Sequence, residues 1–245
     1  MKYRTGLIAL TVAAGTALLT GCAGEEPPTP VEYGSARPAG DTLGLKPPRG
    51  SAVTLSQWPD GCKLVTDEEL RAVLPQAKSV TREPRKLTIM NFNPLVEAAP
   101  GTTGDVPRAG CKYEFHLPSD GEKEFPNSHF SLLVTTIADP ALVAKEYRED
   151  KDRAVKKEKG FADLAGSWGA KDCYRVGEGF SAKVTCLQGA YVFEVDGDTD
   201  AAGVAQMPEP GAEKSENLAA VQKRRDLWME KVLPQIARTV AARLS

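Results

Sequence analysis

The side chains of this 245-residue chain best suited to chemistry are five cysteines, Cys22, Cys62, Cys111, Cys173 and Cys186, and two histidines, His116 and His129. A thiolate can attack, bind a metal or oxidise to a disulfide, and an imidazole can move a proton or hold a metal. Spacing decides among these. No C-x-x-C pair occurs, and the cysteines are too dispersed for a tetrahedral zinc set. Neither histidine has a cysteine or carboxylate at ligand spacing. His116 lies on the outward side of an alternating stretch and His129 follows Asn127 at the start of another, so both read as surface residues. Asp196, Asp198 and Asp200 alternate like the opening of a calcium loop but lack its central glycine and closing glutamate. There is no G-x-S-x-G elbow, phosphate loop, H-E-x-x-H pair or dinucleotide fingerprint. The sequence therefore nominates no catalytic residue, no metal ligand and no cofactor. Trp58, Trp168 and Trp228 read as packing residues. A cleft, if present, is expected where Trp168 and the loop 93–110 approach the sheet.

Cys22 stands apart from the other cysteines. Lys2 and Arg4 precede an uncharged, largely apolar run from Gly6 to Leu19, too short to cross a bilayer as a helix. The run ends in Leu19-Thr20-Gly21-Cys22, which resembles a bacterial lipobox. That resemblance implies cleavage before Cys22 and attachment of a diacylglycerol to its sulfur, a two-chain anchor of the kind stable membrane attachment needs. Residues 1–21 are then a signal peptide, and the mature chain keeps 29 basic against 33 acidic residues. A weakly acidic balance argues against nucleic acid as a partner. The other four cysteines, in an exported chain, read as two disulfides with no thiol left for catalysis. Tyr174 to Thr185 forms two short strands about Gly177-Glu178-Gly179, which sets Cys173 opposite Cys186; Cys62 with Cys111 follows by elimination.

The elements that position these residues are legible in outline. Residues 22–57 are rich in proline and glycine and read as a disordered tether with a reach of about 30 Å as a coil and about 100 Å extended. One folded domain is expected over 58–245. Thr66-Asp67-Glu68-Glu69 has the form of a capping box opening a short helix through Leu74, which Pro75 stops. A strand is expected over 86–92, a loop over 93–110, and alternating or apolar strands over 111–117 and 130–137. Asp139-Pro140 starts a charged helix that Gly160 ends. The Cys173–Cys186 hairpin leads to a second hairpin about Gln188-Gly189, and a loop is expected over 196–214. A long terminal helix capped by Ser215 carries the stripe Leu218, Val221, Trp228, Val232, Ile236 and Val240, with a kink or break at Pro234.

Cys62-Lys63-Leu64-Val65-Thr66-Asp67-Glu68-Glu69-Leu70, the strand opening Cys111-Lys112-Tyr113, the loop Leu164 to Trp168, the strand Tyr191 to Val195 and the helix Leu233 to Leu244 together resemble a family of actinobacterial cell-envelope lipoproteins of unknown function. The resemblance implies an α+β domain of the Mog1/PsbP-like kind, an antiparallel sheet covered by two or three helices, and it brings no catalytic residues. The expected protein is pinned by two disulfides and held by Cys22 on the outer face of the cytoplasmic membrane. There it binds an unidentified envelope protein or apolar ligand without catalysis. An envelope hydrolase lacking a recognisable motif is the alternative.

Overall fold

The computed structural model describes residues 29–89, 104–118, 126–178, 182–201, 204 and 214–245. The expected signal segment 1–21, Cys22 and the first part of the expected tether lie outside them.

The fold is α+β. Seven strands, β1 (Lys78–Ile89), β2 (Gly104–His116), β3 (Ser128–Ile137), β4 (Ala162–Asp163), β5 (Asp172–Val176), β6 (Lys183–Gln188) and β7 (Tyr191–Thr199), form one antiparallel sheet. Its order is β1-β2-β3-β7-β6-β5-β4. The chain leaves β3 through helix α2 (Pro140–Lys157), crosses to the far edge, and returns by the β5-β6-β7 meander to pair with β3. Asp139 caps α2, its Oδ1 accepting the Ala141 N–H at 2.9 Å.

Side-chain alternation sorts the sheet into two faces. Tyr113, Phe115, Phe130, Leu132, Val184 and Phe193 point to one side, under helix α1 (Asp67–Val73) and the long C-terminal helix. That helix comprises α3 (Lys214–Leu227), a π turn (Trp228–Val232) and α4 (Leu233–Arg243). Trp228 is fully buried and stacks on Phe115 with ring centroids 6.2 Å apart. The alternate residues Tyr174, Leu187 and Val192 form a smaller cluster on the opposite face with Val143 and Tyr147 of α2.

Both disulfides are present, Cys62–Cys111 and Cys173–Cys186, and the second joins directly paired residues of β5 and β6. The first needs an unusually close approach: a Cβ placed on Gly61 would lie 2.5 Å from the Cα of Gly110. The expected capping box is also formed, Thr66 Oγ1 accepting the Glu69 N–H and Glu69 Oε2 accepting the Thr66 N–H at 2.8 Å.

Several boundaries differ from the sequence reading. β1 begins at Lys78 rather than 86, and β2 begins at Gly104 inside the stretch expected as a loop, because the two strands pair along a long hairpin whose backbone register runs from Lys78↔His116 to Ile89↔Gly104. β1 is an edge strand whose charges and Pro84 hide it from a pattern search, as edge strands commonly do. β7 likewise runs on to Thr199. Ser215 lies within α3 rather than capping it, and the apolar stripe begins near Trp228, Leu218 being 65% exposed. Pro234 neither breaks nor ends the helix. It has no N–H to donate, and the π turn before it, closed by Leu233 N–H to Trp228 O, accommodates the ring within the first turn of α4.

The largest departure is in residues 29–57. The expected tether is, over its described part, a strap fastened to the domain. Gly34 N–H bonds Val73 O at 2.8 Å, Ala36 N–H bonds Gln235 Oε1 at 3.1 Å, and Leu43 N–H bonds Arg243 O at 2.9 Å. Ala52 bridges to Ala138, Val53 N–H bonds Ile137 O, and Val31, Ala52 and Val53 are buried. A few small apolar side chains and backbone groups suffice to hold it, so composition alone misses it. The centre of the fastening is Glu69, whose side chain is 0% exposed and whose Oε1 accepts the Ala39 N–H at 3.0 Å. Arg243 Nη2 reaches both carboxylate oxygens at 2.9 Å.

Candidate functional site

His116 and His129 sit on the face not covered by the C-terminal helix, half-buried at the register positions His116↔Lys78 and His129↔Asp198. His129 also faces Glu114 on β2. Burial lowers its pKa, with Lys112 acting in the same direction and Asp198, Asp196 and Glu114 in the opposite one. This grouping was invisible in sequence because it is made across three strands. Among the described residues, no three histidine, cysteine, aspartate or glutamate side chains are grouped so that they could hold a metal ion. Asp196 and Asp198 of the calcium-like run share the His129 face of the sheet, Asp196 lying 3.8 Å from Arg85 and Asp198 pairing with Arg225 at 3.1 Å, and Asp200 follows β7 with its N–H on Asn127 O.

Two clefts remain. One, of about 480 Å³, lies between α2 and the β5–β7 part of the sheet, and four of its charged side chains are paired, Lys183 with Glu194 at 2.8 Å and Arg153 with Asp150, while Lys157 and Glu158 also line it. The other is a groove of about 410 Å³ between the C-terminal helix and the loop after β4, lined by Leu164, Trp168, Arg175, Asp226, Met229, Glu230 and Pro234. It continues past Arg175 and Met229 into a narrower section bounded by Gly177, Glu178, Ala182, Gln222, Arg225 and Asp226. Its volume and part-apolar lining are those of small-ligand and peptide sites.

Each wall is held by its own local structure. Lys151 of α2 bridges Asp163 at 2.8 Å and Asp172 at 3.0 Å, tying β4 and β5 together. Asp163 Oδ1 also accepts the Ala165 N–H at 3.0 Å, which supports the left-handed backbone of Ala165 (φ 44°) where the chain turns into the short 3-10 helix Ala165–Trp168. That turn presents Trp168, as the sequence expectation for a cleft required. The other partner expected there, the loop 93–110, lies outside the described residues up to 103 and is strand beyond. The facing wall is the helix. Asp226, Met229, Glu230 and Pro234 recur at helical spacing, and the π turn sets Met229 and Glu230 beside Pro234.

Arg175 was not singled out in sequence, although a signal existed. Counting by twos from Cys173 places it on the same side of β5 as the core, where a charged side chain is out of pattern. Its Nε is buried and meets no hydrogen-bond acceptor. The neighbouring charges are engaged: Arg225 with Asp198, Asp226 Oδ1 accepting from Gln222 Nε2 at 2.9 Å, and Glu230 with Lys231 at 2.8 Å.

The two disulfides fit an oxidising, extracytoplasmic environment, and no helix of the described residues is long and apolar enough to cross a membrane. Comparison with protein-family models, curated proteins and solved structures finds no match to this chain.

Proposed function

We propose that the chain is an envelope lipoprotein, anchored by acylated Cys22 on the outer face of the cytoplasmic membrane, whose domain binds a ligand in the Trp168–Met229 groove without catalysing a reaction. One observation carries the reading. Two disulfides consume four cysteines and leave Cys22 as the fifth, at the end of a leader of lipobox form. The groove, with one apolar wall and a guanidinium lacking an acceptor at its floor, supports binding as the role.

The strap shapes how such an anchor works. Only nine residue steps separate Cys22 from buried Val31, so the point where the domain is fastened lies within about 30 Å of the acylated sulfur. That is a close attachment rather than a long spacer. Membrane fractionation of the full-length chain and of Cys22→Ala tests the anchor: the parent stays with membranes and the variant is released. A variant that remains membrane-bound refutes it.

A further inference from the structure

The groove pairs an apolar surface with one cation that the protein leaves without an acceptor. Trp168 and Leu164 on the loop side, and Met229 and Pro234 on the helix side, supply the apolar contact. The Arg175 side chain joins none of the ion pairs formed among the described residues, and its Nε–H is desolvated without a partner. Arg175 therefore lines the groove with no carboxylate of the protein paired to it, so an acceptor arriving with a ligand meets an uncompensated guanidinium charge.

We propose that the groove binds a small amphiphile bearing a single carboxylate, whose oxygens accept from Arg175 while its hydrocarbon body lies on Trp168, Met229 and Pro234. This deepens the binding role assigned to the domain and rests on it. The rim sharpens the choice of ligand. Lys231 offsets the charge of Glu230, whereas Asp226 accepts from the neutral Gln222 and keeps its own, so the rim admits one negative charge beside Arg175 more readily than two. A phosphate dianion, carrying twice that charge past two carboxylates, is disfavoured. A cationic amphiphile would leave Arg175 facing a like charge.

Calorimetric titration of residues 22–245 carrying Cys22→Ser, so that no acyl chain competes, tests this with four probes of one chain length: decanoate, decanol, decylammonium and decyl phosphate. Decanoate is expected to bind at least about tenfold more tightly than the other three, a difference of about 1.4 kcal/mol. Arg175→Gln is expected to bring decanoate down to the level of decanol without altering decanol binding or the thermal midpoint. Met229→Ser is expected to weaken both. Equal affinity for decanoate and decanol, tightest binding of decylammonium, or an unchanged decanoate affinity in Arg175→Gln each overturns carboxylate selection while leaving the groove a binding site. Absence of binding by every probe overturns both the carboxylate proposal and the role assigned to the groove. The anchor is read separately by fractionation.

Discussion

Replacing Glu69 with Gln is the sharpest test of the strap, because one buried carboxylate fastens three distant parts of the chain. Glu69 accepts from the amides of Thr66 and Ala39, from the Thr66 hydroxyl, and from both approaches of Arg243 Nη2. Glutamine keeps the volume but loses the charge and one acceptor, leaving the Arg243 guanidinium, only 12% exposed, beside a neutral group. Removing one partner of a buried pair costs about 3–5 kcal/mol, and the residual exposure of Arg243 points to the lower end, about 3 kcal/mol. For a domain of this size that is a fall of about 6–12 °C in thermal midpoint. Burial by itself raises the Glu69 pKa, but the Thr66 and Ala39 amides, the Thr66 hydroxyl and Arg243 outweigh it and hold the folded value below the ordinary one of 4.5. The unfolded chain therefore takes up the proton first. The stabilisation is complete above about pH 4.5 and is lost as pH falls through the lowered folded value, so Glu69→Gln should flatten the acid limb of the stability profile. Urea unfolding gives the free energy, and amide exchange at Ala39 and Leu43 reports release of the strap directly. A change below about 0.5 kcal/mol with both amides still protected would refute the argument.

Three further outcomes follow from the packing. Replacing Cys62 and Cys111 together by serine should cost about 4 kcal/mol, against about 3 kcal/mol for Cys173 and Cys186, because the closed loops span 49 and 13 residues; equilibrium unfolding of the two double variants gives the order. Gly61→Ala should destabilise by about 1–3 kcal/mol through its contact with the Gly110 backbone, measured by thermal unfolding with the disulfides intact. Trp228→Ala should cost about 3–5 kcal/mol in urea unfolding, whereas Leu218→Lys, ten residues earlier in the same expected stripe, should change stability by less than about 0.5 kcal/mol.

What the sequence by itself determined is local or periodic. The Thr66–Glu69 box, the Asp139-Pro140 helix start, the alternation through β2 and β3, and the hairpin that sets Cys173 opposite Cys186 depend on residues a few positions apart. They were legible for that reason. Tertiary structure alone decided the rest. β1 owes its length to backbone pairing with β2, and the strap is held mostly by amides, which every residue but proline possesses. Leu218 and Trp228 look alike in a helical pattern, yet one is exposed and the other fully buried. The groove joins Arg175 to a helix face that begins about fifty residues later, a separation no local signal spans. Side-chain type and period report on near neighbours in the chain, whereas which backbone groups find partners, and which charge is left without one, is settled only when remote segments meet.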